Sequence, residues 1–243
     1  MNTKLTGKGV GALKKTALSD TSLRTARFFG SWSGGKDSCL ALYKAQAAGA
    51  FPAALLTMMV EDGARSRSHG LPLAVLKAQA EALGLPLMTR AATWNTYEEV
   101  FLAALAELKA AGLDHGVFGD IDLPPHREWV ERVCAVAGVT PHLPLWLQGR
   151  RELLAEFLAA GFFATIVVVN ITRLSPKFLG RTMDAQTIDD LERAGVDACG
   201  EEGEFHTVVT DGPIFSSPVP VRFGDILTHD GYAFKAVELV ELV

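Results

Sequence analysis

The chain has 243 residues, 49% hydrophobic and 21% charged, with a net charge of −5. These proportions suit one large or two small folded domains, and they exclude a globally disordered chain and a whole-chain basic footprint for nucleic acid. Three cysteines (Cys39, Cys134, Cys199) without a Cys-x-x-Cys pair exclude a disulfide scaffold, a cysteine-rich zinc site and a thioredoxin-type motif, and no apolar run approaches the roughly 20 residues of a membrane span.

The first 27 residues hold six basic side chains against one acid, Asp20. They contain no apolar stretch of the kind a secretory signal needs. A transit peptide or a nucleic-acid arm would share this composition. With no apolar periodicity, residues 1–25 are read as a disordered basic extension.

From Ala26 onward short apolar runs alternate with helical stretches. Strands are expected at Phe28–Trp32, Pro52–Val60, Pro86–Arg90 and Gly116–Gly119. Helices are expected at Lys36–Ala48, Leu71–Leu83 and Thr96–Ala111, each stopped by a glycine. This β-α-β order predicts an α/β fold, a Rossmann-like (HUP-type) parallel sheet with helices on both faces. Ligands of such sheets sit at the carboxyl ends of the strands. Pro124-Pro125 reads as a break, followed by helices at Arg127–Ala137 and Arg150–Ala160, a buried strand at Phe162–Asn170 and a helix at Asp184–Arg193. Two β-rich runs, Val219–Leu227 and Tyr232–Val243, flank Asp230-Gly231, a hairpin signal. The expected division is a first domain at 26–122 that holds the parallel sheet and a smaller C-terminal α+β domain at 123–243, with a soft junction between 122 and 145.

Ser33-Gly34-Gly35-Lys36-Asp37-Ser38 lies between the first strand and the first helix. Glycines permit a tight turn and close approach to a ligand. The amides of a helix start favour an anion. Lys36 adds a positive charge, and Ser33 and Ser38 add hydroxyls, so the segment reads as a pyrophosphate cradle. Gly30 and Gly35 give G-x-x-x-x-G-K, but Asp37 stands where a Walker A loop needs Ser or Thr on magnesium. Asp37 is therefore read as a Mg²⁺ ligand or as a group orienting the loop. The bland alternative is a turn, a helix-start charge and a solvated lysine.

Downstream, Asp120 follows the fourth strand, where a carboxylate faces the ligand crevice; the alternative is a helix cap. His69 contacts nucleotide or substrate, or caps the next helix. Arg181 neutralises phosphate, with Lys177 as the alternative. Glu201, Glu202 and Glu204 crowd together between glycines, beside Asp197. Such carboxylates orient a cationic group, bind ammonium, hold Mg²⁺ or act as a base; the alternative is a solvated acidic turn before the strand Phe205–Thr210. His206 is read as pointing outward from that strand. Cys39 and Cys199 are read as packing rather than as nucleophiles.

SGGKDS is similar to the PP-loop of the ATP pyrophosphatases, which cleave ATP between the α- and β-phosphates and include the GMP and NAD synthetases and the tRNA-thiolating enzymes. Six residues indicate only that superfamily. The order and spacing of Gly119-Asp120-Ile121, Pro144-Leu145-Trp146, Gly180-Arg181, Cys199-Gly200-Glu201-Glu202-Gly203-Glu204-Phe205-His206-Thr207 and Asp211-Gly212-Pro213-Ile214-Phe215 resemble the diphthine–ammonia ligase (diphthamide synthase) family. The resemblance is to its short bacterial-type members and runs from about Phe29 to Phe223. Glu201 and Glu204 match the family pattern, whereas Glu202 falls at a variable position. The resemblance implies ATP and Mg²⁺ as cofactors. It also implies an AMP-forming ligase that adenylates a carboxylate, releases pyrophosphate and transfers ammonia. Lys36, Asp37, Asp120, Glu201 and Glu204 would carry the chemistry. Ser33, Gly34, Gly35, Lys36, Asp37, Ser38, His69 and Arg181 would hold the nucleotide.

Free ammonia or a separate amidotransferase would supply the nitrogen. Diphthine lies on the translocating elongation factor of eukaryotes and archaea. In a bacterial chain the acceptor would be another carboxylate, on a small molecule or a protein. A homodimer, a cytoplasmic location, no membrane contact and no nucleic-acid partner complete the expectation. Two other readings are a PP-loop RNA-modifying ligase, with the basic start as its RNA arm, and a regulator that holds ATP or AMP without turnover. Missing Cys-x-x-Cys pairs count against the first, and pyrophosphate release would count against the second.

Overall fold

The computed structural model describes residues 21–240. Most of the expected extension, residues 1–20, lies outside the described residues. Its last five residues belong to the folded body: Leu23 is only 1% exposed, in the core, and the Thr25 amide donates to the Gly49 carbonyl at 3.1 Å. The boundary at residue 25 is therefore too late, because an apolar side chain in an otherwise polar stretch has found a place under the sheet.

Strands β1 (Arg27–Ser31), β2 (Phe51–Met59), β3 (Leu87–Ala91), β4 (His115–Val117) and β5 (Thr140–His142) form a parallel sheet in the order β3-β2-β1-β4-β5. Consecutive residues of a strand point to opposite faces. Phe28 and Leu55 accordingly enter one core with helices α1 (Lys36–Ala47), α2 (Leu73–Ala82) and α5 (Arg150–Ala159). Phe29 and Leu56 enter the other with α3 (Tyr97–Ala110) and α4 (Pro124–Ala137). Burying each such side chain contributes about 1.5–3 kcal/mol. The strand order reverses between β1 and β4, and this opens a crevice at their carboxyl ends.

Two expectations need correction. Pro124 and Pro125 do not break the chain but open α4, where a missing N–H costs nothing and the fixed φ suits a helix. The first layer also does not end at residue 122: α4 covers it and β5 completes it, so the chain leaves the sheet only after His142, near the far end of the soft junction.

The C-terminal part forms a second, antiparallel sheet from β6 (Phe163–Asn170), β7 (Phe205–Asp211), β8 (Val221–His229) and β9 (Tyr232–Leu239), in the order β7-β6-β9-β8, with α6 (Ala185–Arg193) beside it. The β8–β9 hairpin turns on Asp230 and Gly231 alone. Both have positive φ, 47° and 79°, as a two-residue turn matched to strand twist requires. No helix among the described residues is long and apolar enough to cross a membrane.

Candidate active site

The SGGKDS loop spans the gap between β1 and α1 and is clamped by the second sheet. Gly34 has φ +78°, and a Cβ there would lie 2.5 Å from Gln79 Oε1. A Cβ on Gly35 would lie 2.2 Å from His69 Cε1. Gly34 therefore admits only glycine, whereas at Gly35, with φ −97°, any added side chain would have to displace the His69 ring. The Gly34 carbonyl accepts from the Val209 amide of β7 and from Gln79 Nε2, each at 2.9 Å. Gln79, fully buried on α2, also donates to the Val209 carbonyl at 2.7 Å, and its Oε1 accepts from Trp32 Nε1 at 3.1 Å. The Lys36 amide donates to Thr207 Oγ1 at 3.1 Å. The next amides of α1, on Asp37 and Ser38, stand in the first turn, where a helix offers no internal acceptor and attracts an anion.

Lys36 is not a solvated residue. It is 5% exposed, and its ammonium lies 2.7 Å from Asp37 Oδ2, donates to the Cys199 carbonyl and sits 5.7 Å from the centre of the Phe205 ring. Burial alone would lower its pKa. Asp37 foremost, with Glu201 among the other groups, outweighs burial and holds it above its usual value. Lys36 thus ties the glycine loop to the acidic loop 197–204.

That acidic loop turns on Gly200 and Gly203, both with positive φ. Asp197 caps it from within: Oδ1 accepts from the Cys199 amide at 3.0 Å and Oδ2 from the Glu201 amide at 3.1 Å. The loop brings Glu201 into a field of carboxylates. Burial first, then Asp37, Asp120 and Asp122, raise Glu201 to about 7, and Lys36 only partly offsets them. Asp120 does not cap α4, whose N-cap is Leu123. Its Oδ1 lies 3.4 Å from His126 Nδ1, and this contact holds the imidazole above its usual value. Gly119 lets the Asp120 segment pack tightly, since a Cβ there would lie 2.9 Å from the Asp37 carbonyl carbon.

Glu204, three residues on, goes elsewhere. It is 2% exposed, with Oε1 3.2 Å from Arg173 Nη2, and the same guanidinium binds exposed Glu202 at 2.6 Å. Its Oε2 is buried with no hydrogen-bond partner among the described residues.

His69 is not a cap either, because α2 is capped by Pro72. Its Nδ1 lies 2.9 Å from the Thr207 carbonyl; a carbonyl only accepts, so Nδ1 carries the proton and Nε2 keeps its lone pair. Burial pushes His69 down to about 4. His206 does not simply point outward: its ring stacks on His69 with centroids 4.6 Å apart, and burial lowers its pKa as well. Arg181 is not brought to the loop. It pairs with Asp190 of α6 at 2.8 Å and lies over the Phe178 ring, as Lys177 does. Cys39 and Cys199 are buried, and burial pushes the Cys199 thiol up to about 12, as packing residues require.

Among the described residues no three His, Cys, Asp or Glu side chains gather closely enough to enclose a metal ion. Asp37 at the phosphate loop still fits Mg²⁺, which characteristically takes one or two carboxylates and completes its shell with phosphate oxygens and water.

Sequence reasoning missed Gln79, Asp122, His126 and Arg150, and it quoted Thr207 only as the end of a motif, with no role. Of the four missed, Arg150 carried a signal: it opens a helix, where the dipole disfavours a cation. The structure places its fork on Asp122 at 2.7 Å and on Asp197 at 2.8 Å.

Residues 26–141 match the family described as the diphthamide synthase N-terminal domain, and residues 150–242 its C-terminal domain. The diphthine–ammonia ligase of Danio rerio is 28% identical over 235 residues, covering 87% of this chain and 92% of that protein. Its Homo sapiens namesake is 28% identical over 230 residues, covering 84% and 86%. A solved structure titled as a predicted subunit of tRNA methyltransferase from Methanocaldococcus jannaschii is 19% identical, with a TM-score of 0.43, over 78% of this chain and 98% of that one.

Proposed function

The chain belongs to the diphthamide synthase family, an ATP-dependent ammonia ligase family, and from that premise we propose that it adenylates a carboxylate and then amidates it. The observation that carries this reading is the buried Lys36 ammonium, which joins Asp37 of a glycine loop that opens a helix to the Cys199 carbonyl of the acidic loop bearing Glu201.

The α1 amides of Asp37 and Ser38, with the hydroxyls of Ser33 and Ser38, receive the triphosphate. Mg²⁺ held by Asp37 and phosphate oxygens would neutralise charge on the departing pyrophosphate. An oxygen of the acceptor carboxylate bonds to the α-phosphorus as the bond to the β-phosphate oxygen breaks. Ammonia then bonds to the acyl carbon, and AMP leaves with the former carboxylate oxygen. Adenylation is needed because AMP is a far better leaving group than hydroxide. The attacking nitrogen must shed a proton, and Glu201, titrating near neutrality, is placed to take it. Asp120 with His126 orients the acceptor side of the crevice. Glu204 serves the loop from the Arg173 side. His69 and His206, held neutral, bound the nucleotide loop without adding charge to it.

Diphthine, named in the relatives' activity, is the first acceptor to test. The animal relatives are matched over most of their own length, so a short chain does not set that acceptor aside. The test incubates the protein with ATP, Mg²⁺, ammonium and a diphthine-bearing elongation factor, with a cell extract as the second acceptor source. AMP, pyrophosphate and an amidated product by mass spectrometry are expected. ADP and phosphate as the main products would overturn the reading.

A further inference from the structure

Arg150 stands outside every motif that pointed to the site, yet it joins the two halves of the site. It is the first residue of α5, in the segment between the two sheets. Its Nε and Nη2 hold the two oxygens of Asp122, each at 2.7 Å, two residues beyond Asp120. Its Nη1 lies 2.8 Å from Asp197 Oδ2, the oxygen that accepts from the Glu201 amide. Its own carbonyl accepts from Cys199 Sγ at 3.4 Å. The Cys199 carbonyl in turn accepts from Lys36. A chain of contacts thus runs from the segment after β4, through Arg150 and Asp197, to the backbone that carries Glu201, and back to the nucleotide loop.

We propose that Arg150 is the positioning residue of the reaction: its guanidinium fork, closed on Asp122 and Asp197, holds the acidic loop and Glu201 against the nucleotide loop. This rests on the reading that Glu201 serves ammonia transfer. A lysine has the charge but not the planar fork, and it cannot grip both oxygens of Asp122 while reaching Asp197. The polar partners that Arg150 holds are Asp122, Asp197 and Cys199, on the acidic side of the site, so its effect falls on turnover rather than on ATP binding.

The experiment compares the full chain with Arg150→Lys and Asp197→Asn. The second variant loosens the same loop from its other end at constant volume. Hydrogen exchange at the Cys199 and Glu201 amides, which report local opening, is followed beside the steady-state kinetics of AMP formation. The expected result is exchange at both amides faster by about tenfold or more. The kcat should fall by about 10–100-fold, the effect of a displaced catalytic group. The KM for ATP should stay within about twofold, as for a loss confined to turnover. Unchanged exchange at the two amides, or a KM for ATP that rises in step with the fall in kcat, would overturn the assignment. Wild-type formation of ADP instead of AMP would strike the functional reading, whereas unchanged amides with AMP formation intact would strike only the role of Arg150.

Discussion

Replacing Glu201 by Gln should make the protein more stable at alkaline pH and less active. The carboxyl is raised from 4.5 to about 7 by burial and by Asp37, Asp120 and Asp122. A rise of that size corresponds to about 3 kcal/mol, at about 1.4 kcal/mol per pH unit. The folded protein holds this proton more tightly than the unfolded chain does, so stability falls as pH rises from about 4.5 through about 7. Above that window the buried negative charge opposes folding in full. Below it the carboxyl is protonated in both states and costs nothing. Gln keeps the volume and carries no charge. The variant should therefore stay within about 1 kcal/mol of the wild type at pH 5 and exceed it at pH 8, by about 3 kcal/mol as a ceiling. For a chain of this size that is a rise in Tm of roughly 6–12 °C. Amide formation should fall by about 10²–10⁴-fold if Glu201 is the base. Thermal melts of both proteins at pH 5 and pH 8, beside product formation by mass spectrometry, are the assay. A Tm difference independent of pH, or a variant less stable at pH 8, would refute the electrostatic reasoning. Undiminished product would refute the role of Glu201 as base.

Lys36→Ala removes a charge-assisted contact worth about 1.5–3 kcal/mol, and ATP affinity by calorimetry should fall about 10–100-fold; undiminished affinity would show that Lys36 serves only the acidic loop. Gln79→Leu leaves the Gly34 and Val209 carbonyls and Trp32 Nε1 short of partners in the core. At about 1–3 kcal/mol for each group left without a partner, a loss of several kcal/mol is expected from denaturant unfolding, and a loss under 1 kcal/mol would mean that the loop relaxes freely. Leu23→Ala should cost about 2–5 kcal/mol, because the side chain is fully buried; an unchanged melt would put residues 21–25 outside the cooperative unit.

The parallel layer was legible because its signals are local. Phe28 and Phe29 mark a strand covered on both faces, glycines stop the helices, and SGGKDS sits between a strand and a helix. The three-residue strand β5, with Pro141 in its middle, has too little length for any period to show, and only pairing with β4 makes it a strand. The site was legible as a list of residue types but not as a set of neighbours. Glu201 and Glu204 look equivalent in sequence. Yet the backbone, turned by Gly200 and Gly203, sends one toward Asp37 and Asp120 and the other to Arg173. Arg181 looked like a phosphate ligand because it follows a strand, but the stacking of α6 on the second sheet gave it Asp190 instead. Gln79 read as an ordinary polar helix residue and became the bridge between Trp32, the glycine loop and β7. Local pattern determines which elements form, because a turn, a cap or a buried face is decided within a few residues. Which side chains meet is decided by how two sheets pack across gaps of more than a hundred residues, where no local period carries the information.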